Sequence, residues 1–375
     1  MHARLFTALL LLAASAAIPA IFVGWTGRTG PIAPTDIVNS ATRSLALLQT
    51  AGHVFTVRSK SHCVSCHHNL LTALAEDQCR QKGIPFADTS RAERVAKTVL
   101  GLKFASNINH PADFLSVKFI PSYALVALHA DQYPADNGTE IAVDYLMGQQ
   151  QADGSFAAEY GRPPQEGGEA HLAALAIRSI QVYAAPAKSA KVKEEVARTR
   201  HWFVDYNSEV QQEVAFQLLG LQWCDASTDE KAKIAARLLG MQRPDGGWSQ
   251  LSTMSSDAYA TGEALYALFE SGTLKPGDEA AQKGLAWLLK TQDPTGAWIV
   301  QTRTYPIQPF FTTDFPPYDE NQFISAAATS WATLALLAAL PDRRANAPAA
   351  SFQRTKLPDN TRLTAFRQPR DNLSQ

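Results

Sequence analysis

The sequence predicts an all-α fold in which six pairs of outer and inner helices form a toroid. Three observations lead to this prediction. A helical segment followed by Gln, a Gly-containing turn and an aromatic residue recurs along the chain, and a helix rich in small residues follows each copy. No long stretch of alternating apolar and polar residues competes as a strand. Hydrophobic residues make up 46% of the 375 residues and charged residues 18%, which is typical of a globular protein with a sizeable core.

The recurring segment is clearest in the second half of the chain. AARLLGMQRPDGGW ends at Trp248, and KGLAWLLKTQDPTGAW ends at Trp298. A weaker copy, AVDYLMGQQQADGSF, ends at Phe156, and a degenerate copy lies around Trp202. The helices of these segments carry more Lys, Arg and Glu than the helices that follow them. This difference predicts an outer helix with one face in water and a buried inner helix.

Extended over the whole chain, the pattern gives six outer and six inner helices. The outer helices are predicted to begin near residues 35, 89, 138, 188, 228 and 276. The inner helices are predicted to begin near residues 63, 120, 167, 209, 255 and 321. The toroid then spans residues 35–340 as one domain. Residues 341–375 are rich in Pro, Arg and Asn, and we expect a flexible C-terminal tail there.

The best copy of the repeat resembles a known family motif. Its residues are Lys283-Gly284-x-x-Trp287-Leu288-x-x-x-Gln292-x-x-x-Gly296-x-Trp298, and Gln242-x-x-x-Gly246-Gly247-Trp248 is a shorter match. This pattern resembles the QW repeat of squalene–hopene cyclases and their relatives. The resemblance implies the (α/α)6 toroid shared by terpenoid cyclases and protein prenyltransferase β subunits. It also implies that the repeat's Gln and Trp connect one hairpin to the next, so that these residues are structural.

The catalytic motifs of those families are only partly present. Asp257-Ala258-Tyr259-Ala260-Thr261 stands where the cyclases resemble one another in a D-x-D-D-T-A segment. Tyr259 occupies the position of the proton donor, and a phenol of pKa about 10 is a poor acid for an alkene. We therefore expect no conversion of squalene to hopene, and Asp257 and Tyr259 remain the candidate catalytic residues. The zinc site of the prenyltransferases is not implied either, because Tyr259 replaces its Cys and the last inner helix has no His.

The long connection over residues 299–322 is rich in aromatic residues and proline. Such a loop is able to line an apolar pocket at the end of the toroid. Its rings are equally able to close that end as part of the core, and we favour this second interpretation. The aromatic residues concerned are Tyr305, Phe310, Phe311, Phe315 and Tyr318.

The stretch KSHCVSCHHNLL, residues 60–71, is compatible with three kinds of site. Cys63-x-x-Cys66-His67 matches the attachment signature of c-type haem, with both thiols bonded to the porphyrin and His67 as the axial ligand of the iron. A disulfide between Cys63 and Cys66 is the second possibility, and a zinc site with His62, His67 or His68 is the third. Haem is favoured. Candidates for a sixth iron ligand are His110, His129, His171, Met147, Met241 and Met254, whereas the isolated Cys79 and Cys224 are expected to be buried apolar residues.

The N-terminus predicts export. His2 and Arg4 precede an apolar run from Leu5 to Gly24 that contains several Ala and Ser residues. Residues 1–24 therefore form a signal peptide, or an uncleaved anchor, since the run is also long enough to span a membrane. The rest of the chain is then periplasmic or extracellular. The formal net charge of −1 provides no basic surface for nucleic acid.

These features lead to two main hypotheses about function. The first is an exported toroid with a c-type haem, used for electron transfer or for redox chemistry beside an apolar cavity. Its partner is a redox protein or a quinone-like isoprenoid. The alternative is a haem-free, terpenoid-cyclase-like protein that binds or transforms an isoprenoid, and a non-catalytic interaction scaffold ranks below both.

Overall fold

The computed structural model describes residues 31–59, 64–107, 118–158, 162–304 and 313–342, and this part of the chain is helical, without strands. The outer helices are α1 (Pro34–Arg58), α3 (Arg91–Asn107), α5 (Asn137–Met147), α7 (Ser189–Asp205), α9 (Thr228–Gly240) and α11 (Glu279–Thr291). The inner helices are α2 (Leu71–Lys82), α4 (Phe119–Ala130), α6 (Glu169–Tyr183), α8 (Gln211–Trp223), α10 (Ala258–Glu270) and α12 (Gln322–Ala338). Eleven of these twelve begin within three residues of their predicted starts.

The inner helices form a closed ring. Each packs against the next in chain order, from α2 to α4 and onward to α12, and α12 packs back against α2. The outer helices cover the seams of this ring. For example, α7 contacts both α6 and α8, and α1 contacts both α12 and α2. The predicted all-α toroid of six hairpins is therefore confirmed.

The first inner helix begins later than predicted. A π-helical turn, Cys66–Leu70, precedes α2, which itself starts at Leu71. The side chain of Ser65 accepts hydrogen bonds from the backbone N–H groups of His67 and His68 and so caps this turn. Asn69 fixes it to α1 by donating to the carbonyl of Gly52 over 3.0 Å. The cap and the widened turn explain why regular α-helix does not start at the cysteines.

The repeat residues connect neighbouring hairpins, as the resemblance implies. Gln242 donates a hydrogen bond from Nε2 to the carbonyl of Ala280 on α11, over 2.9 Å. Gln292 makes the equivalent bond to Ser40 on α1, over 3.2 Å, and so joins the last outer helix to the first. Trp248 and Trp298 are both buried, and their indole nitrogens donate to carbonyls of α9 and α11 over 2.8 and 2.9 Å.

The glycine of the repeat is needed for this junction. Gly246 and Gly296 have φ angles of +94° and +98°, which favour glycine. A Cβ atom at Gly296 would lie 2.8 Å from the backbone carbon of Arg43, and one at Gly246 would lie 2.8 Å from the carbonyl oxygen of Lys283. The turn therefore packs directly on the backbone of the next outer helix, which a side chain at either glycine would prevent.

The degenerate copy does not form this junction. Trp202 lies inside α7, half-buried, where its ring packs on Phe203 and Tyr206 at 5.1 and 4.5 Å between centroids. Residues 206–210 alone connect α7 to α8 and contain no glycine. The repeat's turn is thus absent from this hairpin.

The two ends of the chain lie outside the described residues. Beyond the last inner helix, Lys82 donates from Nζ to the carbonyl of Leu340 over 2.6 Å and pairs with Asp342 over 2.7 Å. Residues 1–30 and 343–375 are not described, so the signal peptide or anchor and the flexible tail stay predictions. Within the described helices, none combines the length and apolar character needed to cross a membrane.

Candidate functional site in the toroid interior

The aromatic loop contributes to the core and not to a pocket in the part that the structure describes. Phe315 is fully buried in a small cluster with Leu48, Ala297 and Ala326. Tyr318 is 61% exposed. Tyr305, Phe310 and Phe311 lie outside the described residues. For Phe315, the favoured interpretation of a ring that closes the toroid is therefore right.

Aromatic rings from the inner helices fill the interior of the toroid instead. The ring of His171 on α6 stacks on that of Phe216 on α8, with 3.9 Å between centroids. Phe216 in turn meets Trp331 on α12 edge-on at 5.8 Å, and Trp331 lies 5.8 Å from Tyr266 on α10. Tyr123 on α4 completes the set, 5.6 Å from His171. We call these five residues the interior rings, and none is more than 7% exposed.

His171 is an uncharged member of this set. Its Nδ1 lies 3.3 Å from the carbonyl oxygen of Gly167, and its Nε2 lies 2.7 Å from the hydroxyl of Tyr123. Burial lowers the pKa of His171 to about 3. Both ring nitrogens are therefore engaged within the protein, which leaves this predicted sixth haem ligand without a nitrogen for iron. His110 lies outside the described residues, and His129 is exposed at the end of α4.

A buried group of polar side chains, the interior polar cluster, consists of Gln165, Gln212, Tyr259 and Glu263. Gln212 on α8 donates from Nε2 to the hydroxyl of Tyr259, over 3.0 Å, and to Oε1 of Glu263, over 3.2 Å. The Tyr259 hydroxyl donates to Oε1 of Gln165 over 3.2 Å. All four side chains are 4% exposed or less. The cluster therefore lies in a medium where polar groups interact strongly and where an unpaired group is costly.

Glu263 is the titratable group that the sequence analysis missed. Its Oε2 has no hydrogen-bond partner among the described residues. Burial raises the pKa of Glu263 well above its ordinary value, and the neighbouring carboxylates of Asp257 and Glu213 raise it further. The uncharged form of this carboxyl group is therefore favoured relative to an exposed Glu. The sequence contains a signal for this residue. Glu263 is the single charged residue of the stretch AYATGEALYALF, and a Glu is seldom buried without a charged partner.

The two candidate catalytic residues, Asp257 and Tyr259, lie in different environments. Tyr259 is fully buried within the interior polar cluster, and burial raises the pKa of its phenol well above 10. Asp257 is the N-cap of α10 and accepts a hydrogen bond from the backbone of Ala260 over 3.0 Å. Burial raises the pKa of Asp257 to about 6. Arg303 lies beside the interior polar cluster, and its Nε donates a hydrogen bond to the side chain of Gln250 over 2.7 Å.

The raised pKa of Asp257 predicts a pH-dependent effect of the substitution Asp257→Asn. The unfolded chain has an Asp pKa of about 3.9, so the folded state binds this proton more tightly. The wild type therefore loses stability through Asp257 as the pH rises from about 4 through about 6. Asn also serves as an N-cap but does not titrate. We expect the variant to gain up to about 3 kcal/mol relative to wild type between pH 4 and pH 8. Urea unfolding at both pH values measures this difference, and a constant difference would contradict it.

The residues of the CxxCH motif are only partly described. Cys63 lies outside the described residues, and Cys66 is buried in the main core. The ring of His67 lines a cavity of about 40 Å³ and lies edge-on to Phe323. Burial and the charge of Arg162 lower the pKa of His67 to about 3. The imidazole of His67 is therefore neutral and lies at this cavity.

The second histidine of the motif has a structural role. His68 is fully buried, and its Nε2 lies 2.9 Å from the hydroxyl of Thr313, where the described part of the aromatic loop resumes. Its ring stacks on Phe55 at 5.7 Å between centroids. His68 therefore joins the CxxCH segment to α1 and to the loop. Cys79 and Cys224 are buried, as predicted. Among the described residues, no three His, Cys, Asp or Glu side chains are grouped so as to hold a metal ion.

Comparison with solved structures supports the fold and nothing finer. The chain is similar to the type II terpene cyclase MstE from Scytonema in its complex with geranylgeranyl dihydroxybenzoate, with 16% identity, a TM-score of 0.54, and 82% of this chain and 98% of that chain covered. The apo form of that cyclase gives 15% identity and the same TM-score and coverage. A protein from Actinoplanes matches with 13% identity and a TM-score of 0.50, over 79% of this chain and 99% of that chain.

Sequence comparisons add no closer relative. No protein-family model matches the chain, and no curated protein matches it. At such identities the likeness concerns the arrangement of the helices, not the chemistry of the site. The chain therefore has the helical-toroid fold of type II terpene cyclases.

Proposed function

We propose that this protein binds an isoprenoid inside the toroid, against the interior rings and beside the buried carboxyl group of Glu263. The observation that carries the proposal is an interior lined by aromatic side chains from five inner helices, with a buried acid nearby whose Oε2 has no hydrogen-bond partner among the described residues. Aromatic and apolar walls with a few convergent polar groups are typical of small-molecule sites. The cyclase with the similar fold is described in complex with a geranylgeranyl compound.

The state of Glu263 favours binding over protonation of an alkene. Burial raises the pKa of this carboxyl group and so favours its uncharged form, which leaves no charge in the interior. An apolar chain is then not required to pack against a buried charge. A raised pKa also makes the group a weaker acid, and an alkene requires a strong one. Glu263 is thus suited to a hydrogen bond with a bound molecule.

The interior rings must move for the chain of such a ligand to enter. The cavity beside the interior polar cluster has a volume of about 40 Å³, which is enough for one or two water molecules. A site for a larger ligand usually has roughly 300 Å³ or more. The ring of Trp331, on the last inner helix, is among those that an isoprenoid has to displace. Removing this ring should therefore favour binding.

The substitution Trp331→Ala tests the proposal. We expect wild-type protein to bind geranylgeraniol at one molecule per chain, and the variant to bind it about tenfold more tightly because less side chain has to be displaced. Titration calorimetry and native mass spectrometry measure the affinity and the stoichiometry.

A second groove on the outside of the toroid provides the control. It has a volume of about 520 Å³ and is lined by Val192, Val196 and Val204 of α7. Val196→Glu places a charge there and should leave geranylgeraniol binding unchanged. Absence of binding, or an affinity that follows Val196→Glu and not Trp331→Ala, would contradict binding in the interior.

Covalent haem is a second candidate function, favoured by the spacing of Cys63, Cys66 and His67. The described residues around His67 do not fit a haem, because the cavity beside its ring has a volume of only about 40 Å³ and Cys66 is buried in the core. The test is the intact mass of protein matured in an exporting host. A mass increased by one haem, and lost in the Cys63→Ala and Cys66→Ala double variant, would favour this function over the first.

A further inference from the structure

We infer that the cavity between His67 and Gln165 is the subsite for the head group of the isoprenoid, and that this head group is a single uncharged oxygen function, a hydroxyl or a carbonyl. The inference rests on the proposed function and adds the chemistry of the ligand's polar end. Its basis is one buried hydrogen-bond donor without a partner among the described residues, on a residue that lines a cavity whose size and charge favour a small neutral acceptor.

The donor is the side-chain amide of Gln165, which is fully buried. The Tyr259 hydroxyl accepts a hydrogen bond from Gln212 over 3.0 Å. The proton of that hydroxyl is therefore directed to Gln165, whose Oε1 accepts it over 3.2 Å. Because Oε1 accepts this bond, the orientation of the amide is fixed, and Nε2 is its remaining hydrogen-bonding atom. Nε2 has no hydrogen-bond partner among the described residues, and a buried donor without an acceptor is unfavourable.

The cavity at this amide is small. Gln165, His67, Thr302 and Phe323 contribute to its walls, and its volume is about 40 Å³. One or two water molecules occupy such a space. A hydroxyl or carbonyl group at the end of a chain fits it, whereas a diphosphate, with seven oxygen atoms around two phosphorus atoms, does not.

The charges around the cavity disfavour an anion. Two arginines lie at or next to this cavity, and both are engaged within the protein. Nε and Nη2 of Arg162 donate to the buried carboxylate of Glu166, and Nε of Arg303 donates to Gln250 over 2.7 Å. The imidazole of His67 is neutral because burial and Arg162 lower its pKa to about 3. The exposed carboxylate of Glu320 is part of the rim. An uncharged acceptor is therefore preferred over a carboxylate or a phosphate.

A series of probes with one chain and different head groups tests the inference. The probes are farnesene, farnesol, farnesoic acid and farnesyl diphosphate, each titrated into the full chain at neutral pH. We expect farnesol to bind about tenfold more tightly than farnesene, and both anionic probes to bind no more tightly than farnesene. In Gln165→Leu, the affinity for farnesol should fall to that for farnesene, and the affinity for farnesene should not change.

Two further variants keep the test decisive. Gln165→Met retains the length of the side chain but removes the donor, and it should also lose the preference for farnesol. Gln81→Leu, on α2, alters a side chain that donates to Asp77 over 2.7 Å and does not line this cavity, and this variant should keep the preference. Thermal unfolding of each variant confirms that it is folded.

The possible failures are distinguishable. Equal affinities for farnesene and farnesol, or a preference that survives Gln165→Leu, would overturn the head-group subsite and leave isoprenoid binding in place. Tighter binding of farnesoic acid or farnesyl diphosphate would also overturn it, since Arg162 would then be the recognising group. Absence of binding by every probe would overturn both the subsite and the proposed function.

Discussion

Replacing Trp298 with alanine is expected to lower the free energy of unfolding by about 3–5 kcal/mol. The indole is 1% exposed and fills the junction between α11 and α12. Its Nε1 donates to the carbonyl of Leu288 over 2.9 Å, and its backbone N–H donates to the hydroxyl of Thr329 over 3.0 Å. The substitution leaves a cavity at the point where the last hairpin meets the first. Urea unfolding followed by circular dichroism measures the loss.

Trp287 on the same helix is a matched control. It is half-buried, and its Nε1 donates to Asp245 over 3.2 Å. Trp287→Ala should cost about 1 kcal/mol, because a partly exposed ring contributes less burial. Equal losses for Trp287→Ala and Trp298→Ala would show that the repeat tryptophan has no special part in closing the ring.

The second large effect is expected at a buried ion triad of Arg94, Glu76 and Asp131. The guanidinium of Arg94 bonds to Glu76 and to Asp131, each over 2.6 Å, and all three side chains are 2% exposed or less. The triad connects α2, α3 and the end of α4. Arg94→Met leaves two buried carboxylates without their cation and should cost about 3–5 kcal/mol at neutral pH, measured by urea unfolding.

Two further variants isolate the cause of that loss. In the triple variant Arg94→Met, Glu76→Gln, Asp131→Asn the charges are removed together, and most of the stability should return. Arg58→Met removes an exposed ion pair with Asp314 and should cost less than about 1 kcal/mol. If the triple variant were no more stable than Arg94→Met, packing and not the uncompensated charge would explain the effect.

The positions of the helices were predictable because the succession of outer helix, turn and inner helix recurs in several copies of the repeat. Gln, Gly and Trp recur with the same spacing in the copies that end at Trp248 and Trp298. In both copies the Gln bonds to the next outer helix and the Trp indole bonds to the preceding one. The first inner helix was placed too early, since the cap by Ser65 and the π-helical turn are local features that occur once. The repeat pattern therefore could not predict the Ser65 cap or the π-helical turn.

The candidate site was predictable only in part. Tyr259 was singled out because it stands in the cyclase motif, and it does lie in the interior. Glu263 was missed because the sequence does not show which face of a buried helix points to the toroid axis. The loop with Phe315 is the aromatic-rich segment that the sequence shows, whereas the interior rings come one each from α4, α6, α8, α10 and α12. Trp331, for example, is a single ring among the small residues of α12. A lone Glu in an apolar stretch marks Glu263 as unusual, but the contacts between distant helices that form the site are not encoded in any local pattern.

A crystal structure of the complex with geranylgeraniol is the decisive test of an isoprenoid site in the toroid interior. We expect the hydrocarbon chain between the rings of Phe216 and Trp331, within contact of the Glu263 carboxyl group, and the hydroxyl group within hydrogen-bond distance of Gln165. Two outcomes would contradict a site in the interior. One is a ligand bound in the outer groove at Val196, and the other is a ligand bound elsewhere while the interior rings stay packed as in the free protein.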